Sequence, residues 1–326
     1  MRRVLITGGA GFIGYHLARR LVAAGDEVVI VDNFDRAVRD TDLARLAESP
    51  LCSIYRLDLA TDPLPNVRPD AIVHLAAIVG VRNVLDRPYE VLRGNATSLM
   101  RVLDQAAGLA NLGQLIFTST SEVYAGSVRQ GLAALPTRED APLLIESPGD
   151  PRGTYALSKI YGEALCLASG LPVTIVRPHN VYGPRMGMSH VIPELLARAW
   201  HAESGGELHV SSVDHTRSFC YVDDAVGILE ALLRIPGQGH VVNLGRQSPE
   251  VTIGQLAAIV VDVVGKPLTL TALSPTPGSP PRRCPDTEFL QSLTGHLPAV
   301  DLEEGVRRTF DWYRDHVFLG TDESAR

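Results

Sequence analysis

Short apolar runs and longer amphipathic stretches alternate through the first half of the chain. The runs RVLITG, EVVIVD, AIVHLAA, QLIFTS and PVTIVRP carry few polar residues, the pattern of strands buried on both faces. Between them, apolar positions recur at helical spacing in GFIGYHLARRLVAAG, where Gly25 is the stop signal, and again in RVLDQAAGLA and TYALSKIYGEALCLASG. This alternation predicts an α/β architecture, a doubly wound parallel sheet with helices on both faces.

Beyond about residue 178 the rhythm changes. Prolines multiply, strands shorten, helices such as VIPELLARAWHA stand apart, and PTPGSPPRRCPD must be a loop. LEEGVRRTFDWYRDH is amphipathic, and GTDESAR is a polar end. The expected organisation is a first domain over 1–177, to which a segment around 217–245 returns, and a smaller, interleaved C-terminal lobe over 178–326.

Composition adds exclusions. The 326 residues are 45% hydrophobic and 21% charged, with net charge -7. No long basic run is present, which argues against nucleic acid or an acidic membrane surface as the main partner. A local arginine pocket for an anionic substrate stays open. No segment approaches eighteen uninterrupted apolar residues, so no membrane span is expected. MRRVLITGG reads as a first strand rather than a signal peptide, because its apolar run is short and leads into a glycine turn. Cys52, Cys166, Cys220 and Cys284 form no CxxC motif. They are expected to be free thiols in a reducing cytoplasm, with no metal site.

LITGGAGFIG reads as strand, glycine turn and helix. Gly8 permits the tight turn, Gly11 lets backbone approach a pyrophosphate, and Gly14 lets helix and strand close together; the helix start, with Phe12 and Ile13, then faces the phosphates. Asp32 follows at the end of the next strand, at the separation expected for a ribose-binding acid. These features predict a Rossmann-type dinucleotide site rather than a plain turn. Like charge at Asp32 disfavours a 2′-phosphate, so the expected cofactor is NAD, with nearby Arg36 as the contrary sign. Asn33 beside Asp32, Asp58 and Leu59 after the third strand, and Leu75, Ala76 and Ala77 complete the candidate cofactor contacts.

TYALSK puts Tyr155 and Lys159 four apart, on one helical face. An ammonium beside a phenol favours phenolate, which can take a proton from a hydroxyl while hydride leaves for nicotinamide. With these motifs in place, the chain resembles the extended short-chain dehydrogenase/reductase family, in its branch of NAD-dependent nucleotide-sugar epimerases and dehydratases. The resemblance runs through TGGAGFIG, HLAA, TSTSEVY, YALSK, RPHNVYGPR, RSFCYVDD, VNLG and RRCPD, nearly the whole chain. It implies that Thr120 hydrogen-bonds the sugar C4 hydroxyl, that Tyr155 is the base for C4 oxidation and that Lys159 also holds the nicotinamide ribose. It further implies substrate contacts from Asn180 and Val191, and a phosphate clamp from Arg217 with Arg282 or Arg283. Asn95 is expected to be structural. A nucleotide sugar, UDP-linked in preference, and a homodimer built on the helix through Leu99 to Ala107 and the helix of Tyr155 are implied as partners.

Glu122 in TSTSEVY separates the possible reactions. The 4,6-dehydratases of the family resemble T-D/S-E here, with the glutamate removing the C5 proton; this chain has Thr120, Ser121 and Glu122. Serine is a poor general acid, so Glu122 has to move both protons or Ser121 only hydrogen-bonds the leaving oxygen. UDP-glucuronate decarboxylases also resemble TSEVY and have a counterpart of RRCPD, where Arg283 would face the sugar carboxylate. A dehydratase is the first expectation. A 4-epimerase or uronate decarboxylase is the alternative, and a dinucleotide-sensing protein without catalysis is the alternative from another class.

Overall fold

The computed structural model describes residues 1–38, 40–275 and 278–320. Its centre is a seven-stranded parallel sheet. The strands are β1 (Arg3–Thr7), β2 (Glu27–Asp32), β3 (Cys52–Arg56), β4 (Ala71–His74), β5 (Gln114–Thr118), β6 (Val173–Pro178) and β7 (His240–Leu244). They lie in the order β7-β6-β5-β4-β1-β2-β3. The order reverses between β1 and β4, and a doubly wound sheet binds its ligand in the crevice beyond such a reversal.

Alternation along each strand sorts the apolar runs into two cores. Val4, Ile6, Val28, Ile30, Val73, Ile116 and Val176 point to one face. Leu5, Val29, Val31, Ile72, Leu115, Phe117 and Ile175 point to the other. The first face is covered by α1 (Phe12–Ala23) and by the helix Val222–Leu232, which pack on each other. The second is covered by Pro88–Ala107 and Thr154–Ala168, also packed together. The near-continuous apolar runs are thus the consequence of burial on both sides. The chain returns to this sheet after residue 178 through Val222–Leu232 and β7.

Outside the large sheet lie a three-stranded sheet in the order Val251–Thr252, Thr216–Arg217, Arg282–Arg283, and helices Val191–His201, Ile253–Val264 and Leu302–Tyr313. The four cysteines are buried free thiols. Asn95 braces the turn after HLAA, accepting from the Ile78 N–H at 2.7 Å and donating to Ser158 Oγ at 3.1 Å. Among the described residues no helix is long and apolar enough to cross a membrane. Residues 321–326 of the polar end lie outside the described residues.

A buried ion pair joins two segments far apart in sequence. Arg185, just beyond the strand Val181–Tyr182, meets Asp40 with both side chains 1% exposed. It also donates to the Val38 carbonyl at 3.0 Å and sits 4.0 Å over the Tyr15 ring. Asp40 caps the helix Thr41–Ala47 by accepting from the Leu43 N–H at 2.9 Å. Asp40→Asn keeps a capping oxygen but leaves a buried guanidinium uncompensated. Chemical denaturation should show a loss of about 3–5 kcal/mol, whereas a loss below about 1 kcal/mol, the scale of an exposed pair, would show the contact to be incidental.

Candidate active site

The glycine turn between β1 and α1 lies against the segment that follows β4. Gly8 has φ +70°, and a Cβ there would stand 2.7 Å from the Ala76 nitrogen. A Cβ on Gly14 would stand 2.3 Å from the Gly8 carbonyl oxygen, so only glycine lets α1 close on the turn. Gly11 differs: its Cβ would meet only the Gly8 oxygen at 3.3 Å, leaving room for a ligand. Gly11 is also the N-cap of α1, without a side-chain cap and without an acid in the first turn. The first-turn N–H groups, those of Phe12 and Ile13 among them, are left to an anion.

Asp32 closes this cleft at the end of β2. Its Oδ2 accepts from the Ala10 N–H at 3.1 Å and its Oδ1 from the Phe34 N–H at 2.8 Å. Burial pushes its carboxyl up, against the pull of those N–H groups. Asn33 is engaged with Asp35, accepting from its N–H at 3.1 Å. Asp58 is exposed and accepts from the Ala60 N–H at 2.9 Å, while Leu59 is buried in the second core. Leu75 and Ala76 donate to the Thr7 carbonyl at 3.0 Å and to Thr7 Oγ1 at 3.4 Å; Ala77 is half-buried. Ile13, Leu75 and Thr118 help line a small apolar space. Thr118 Oγ1 is buried with no partner among the described residues. An open cradle over Gly11, an uncapped helix start and an orphaned hydroxyl fit a dinucleotide whose ribose reaches Asp32. Arg36 lies beside the turn at Gly187, and its charge is felt at Tyr155.

Tyr155 and Lys159 share one face of the helix Thr154–Ala168. Lys159 is 3% exposed and donates to the Thr118 carbonyl at 2.7 Å. Burial pulls its ammonium down to about 8, with Cys166 and Glu163 acting weakly the other way. The Tyr155 phenol is pushed up, first by burial and then by the Glu122 charge, against a hydrogen bond with Thr120. The expectation that Lys159 itself lowers the phenol is therefore corrected. Its nitrogen stands 5.9 Å from the Tyr155 ring centroid and is committed to a backbone carbonyl.

The segment after β5 carries the remaining reactive groups. Thr120 caps the short 3₁₀ turn Ser121–Tyr124, its hydroxyl accepting from the Glu122 N–H at 3.2 Å. Ser121 is buried, and Glu122 is exposed to the cleft. Glu122 Oε1 accepts from Arg283 Nη2 at 3.0 Å. Arg283 is in register with Arg217 on the parallel strands of the small sheet, so both side chains lie on one face. Arg282, one residue earlier, turns to the other face and forms a two-point pair with Glu250 at 2.6 and 2.8 Å. Among the described residues, buried Arg217 donates to neutral oxygens: the carbonyls of Thr216 at 2.7 Å and Pro280 at 2.6 Å, and Ser279 Oγ at 3.1 Å. Burial, then the charge of Arg283, pulls its guanidinium down to about 10. Asn180 adopts φ 43° and donates to the Ser218 carbonyl at 2.9 Å; Val191 opens its helix half-buried. Two adjacent guanidinium groups with one carboxylate between them and the phenol make a seat for an anion.

A layer not foreseen from sequence lies beneath this segment. Ser119 Oγ donates to Glu163 Oε1 at 2.5 Å, and Arg177 grips both Glu163 oxygens at 2.9 and 2.6 Å. Arg177 Nη1 donates to the Tyr124 phenol oxygen at 2.6 Å. A signal existed: Glu163 falls four residues after Lys159, on the same helical face, and Arg177 ends an otherwise apolar run.

The chain belongs to the NAD dependent epimerase/dehydratase family, whose description matches residues 4–245. It is an NAD-dependent enzyme of that family. It is 34% identical over 328 residues to a UDP-N-acetyl-α-D-glucosaminuronate decarboxylase of Bacillus cytotoxicus, covering 96% of this chain and 98% of the relative. Its fold is similar to that of TunA, an NAD-dependent NDP-hexosamine 5,6-dehydratase involved in tunicamycin biosynthesis, with TM-score 0.80, 30% identity and coverage of 96% and 98%. It is also similar to the UDP-glucuronic acid 4-epimerase of Bacillus cereus solved with UDP-glucuronic acid and NAD, with TM-score 0.82, 25% identity and coverage of 96% and 99%.

The depressed Lys159 has a pH signature. The folded enzyme loses that proton near pH 8, while the unfolded chain holds it to about 10.5. The unfolded state therefore binds more protons in that window, so this position adds stability as pH rises through it. Denaturation of the nucleotide-free enzyme and of Lys159→Met should show wild type gaining on the variant from pH 8 to 10. A difference that stays flat or shrinks would mean Lys159 is not held below its ordinary value.

Proposed function

We propose that the enzyme binds a UDP-sugar, oxidises its C4 hydroxyl and then directs the chemistry at C5 and C6 through Glu122 and Arg283. Bound NAD would supply the hydride acceptor and a positive charge beside the phenol. Tyr155 takes the C4 hydroxyl proton, Thr120 orients that hydroxyl, and Lys159 fixes the adjoining backbone through the Thr118 carbonyl. Arg217, buried and matched to neutral acceptors, is suited to a diphosphate oxygen.

The reading best supported is decarboxylation of a nucleotide hexuronate, and the contact of Arg283 with Glu122 carries it. Once C4 is a ketone, the C5–C6 bond of a uronate can break without an acid at C6. Carbon dioxide leaves, the electron pair enters the ketone, C5 takes a proton, and the hydride taken from C4 would be returned to C4 so that bound NAD is regenerated. Such a step asks for a cation to seat the carboxylate and a group near C5 to return a proton; Arg283 and Glu122 are so suited. The uronate decarboxylase of Bacillus cytotoxicus supports the same reading. Dehydration is the second reading, favoured by the likeness to TunA. It uses Glu122 to take the C5 proton but leaves only the buried Ser121 hydroxyl to assist the departing C6 oxygen, and serine is a weak acid.

Mass analysis after incubation with UDP-hexuronates and neutral UDP-hexoses separates the readings by loss of carbon dioxide or of water. Arg283→Met should lower kcat/KM for the uronate at least about 30-fold, the scale of truncating one partner of a desolvated charge pair. Glu122→Gln should still form bound NADH, seen by absorbance, while product formation falls by about 10²–10⁴-fold. Water loss from a neutral sugar, abolished by Glu122→Gln, would replace decarboxylation with dehydration.

The oligomer proposed is a homodimer. Leu157, Tyr161, Ala164 and Ala168 form an apolar stripe on Thr154–Ala168, with Tyr161 47% exposed. Tyr89, Ala96 and Met100 continue it on the adjoining Pro88–Ala107. Such a stripe on two packed helices suits a second copy of itself. Light scattering at micromolar concentration should give a dimer for wild type and a monomer for Tyr161→Arg; a monomeric wild type removes this reading.

A further inference from the structure

Glu122 and Arg283 are separated by 161 positions in sequence, yet they meet at 3.0 Å. A buried side chain, Asn243, also links the segments that carry them. After Arg283 the chain is laced to Thr137: the Thr137 N–H donates to the Cys284 carbonyl at 2.9 Å, and the Asp286 N–H to the Thr137 carbonyl at 2.9 Å. After Glu122 the turn ends in Tyr124, whose ring is buried. Asn243, fully buried in β7, spans the gap. Its Nδ2 donates to the Thr137 carbonyl at 2.9 Å and the Asp286 carbonyl at 3.2 Å. Its Oδ1 accepts from the Tyr124 hydroxyl at 2.9 Å and faces His179 Nε2 at 3.2 Å.

The direction of these bonds is fixed. Arg177 donates to the Tyr124 oxygen, so the phenol proton must go to Asn243. The two backbone carbonyls can only accept, so the amide nitrogen must face them. Both donors and both lone pairs of the amide are then used. The Asn243 N–H is spoken for as well, donating to Glu139 Oε1 at 2.9 Å. No slack is left in the linkage between the two segments.

We propose that Asn243 is a positioning residue that sets the spacing of Glu122 and Arg283, acting through Tyr124 on one side and Asp286 on the other. Where the sugar goes after C4 oxidation, which rests on the function proposed above, then depends on a residue that lies in the wall of the sheet. C4 oxidation itself depends on Tyr155 and Thr120, and the Thr120 end of the segment is held through Ser119 to Glu163, which Arg177 grips by two bonds that do not involve Tyr124.

Two conservative variants each cut one arm. Tyr124→Phe removes the hydroxyl and with it one acceptor of Arg177, which keeps both Glu163 oxygens and the Glu139 carbonyl; Asn243→Asp keeps an acceptor for Tyr124 but sets a carboxylate oxygen against the Thr137 and Asp286 carbonyls. Crystal structures of both, without substrate, should show the Glu122–Arg283 contact opened beyond hydrogen-bond reach. In single turnovers with a UDP-hexuronate, the rate of NADH formation should be little changed. Release of carbon dioxide should fall about 10- to 10²-fold, the usual consequence of an ångström-scale misplacement, and a 4-keto sugar nucleotide should escape. A contact retained in Tyr124→Phe overturns the proposal whatever the rates, and so does an equal slowing of both steps. If Asn243→Asp does not fold, Tyr124→Phe decides alone. If wild type forms no NADH with any UDP-sugar, the proposed function falls and the crystallographic comparison still decides the role of Asn243.

Discussion

The segment that carries Thr120 and Glu122 rests on a buried ion pair. Arg177 and Glu163 are 4% and 5% exposed, and taking two such charges out of water costs several kcal/mol each. The cost is offset because the pair is two-pronged and its remaining bonding capacity is used. Ser119 donates to the carboxylate, and the Tyr124 oxygen and the Glu139 carbonyl accept from the guanidinium. Burial works against the charge on Arg177, and the facing carboxylate and phenol more than reverse it. Glu163 lies on the helix that carries Tyr155 and Lys159, and Arg177 lies on β6. The pair therefore locks helix to sheet beneath the point where Thr120 and Glu122 leave β5.

Above that base the electrostatics are unbalanced by construction. Register places Arg217 opposite Arg283, and like charges opposite one another on a sheet are unfavourable. Within the chain Glu122 relieves one of them and neutral oxygens solvate the other. A substrate with a diphosphate at one end and an acidic group at the other would relieve both. The same sheet disposes of Arg282 by alternation, sending it to Glu250 on the opposite face.

Most of the large sheet was legible in the chain, because strands buried on both faces leave uninterrupted apolar runs. β3 and β7 are the exceptions among the runs quoted. Both are edge strands: Cys52–Arg56 is largely exposed, and His240–Leu244 carries the polar Asn243. The glycine loop was legible because a Cβ on Gly8 or Gly14 would stand 2.7 or 2.3 Å from a backbone atom, so both positions require glycine. Motif order brought out Glu122, Arg217 and Arg283, but not which of Arg282 and Arg283 faces the cleft. That choice is made by strand register, which a two-residue strand cannot announce. The depressed phenol expected at Tyr155 failed for a related reason, since helical spacing predicts a shared face and not where an ammonium places its hydrogen bonds. The layer of Ser119, Glu163, Tyr124 and Asn243 was hidden because its members come from distant segments and are joined only by folding.

The return of the chain to complete the large sheet bears on how such a protein can be divided. β7, from beyond residue 178, supplies the outer neighbour of β6. A fragment ending at 177 would expose Val173, Ile175 and Val176 along an open row of N–H and C=O groups, the profile of a self-pairing edge. Residues 1–177 are therefore not a module that gene fusion could exchange. A change made beyond residue 178 is not insulated from the large sheet, because β7 ties that part of the chain to β6.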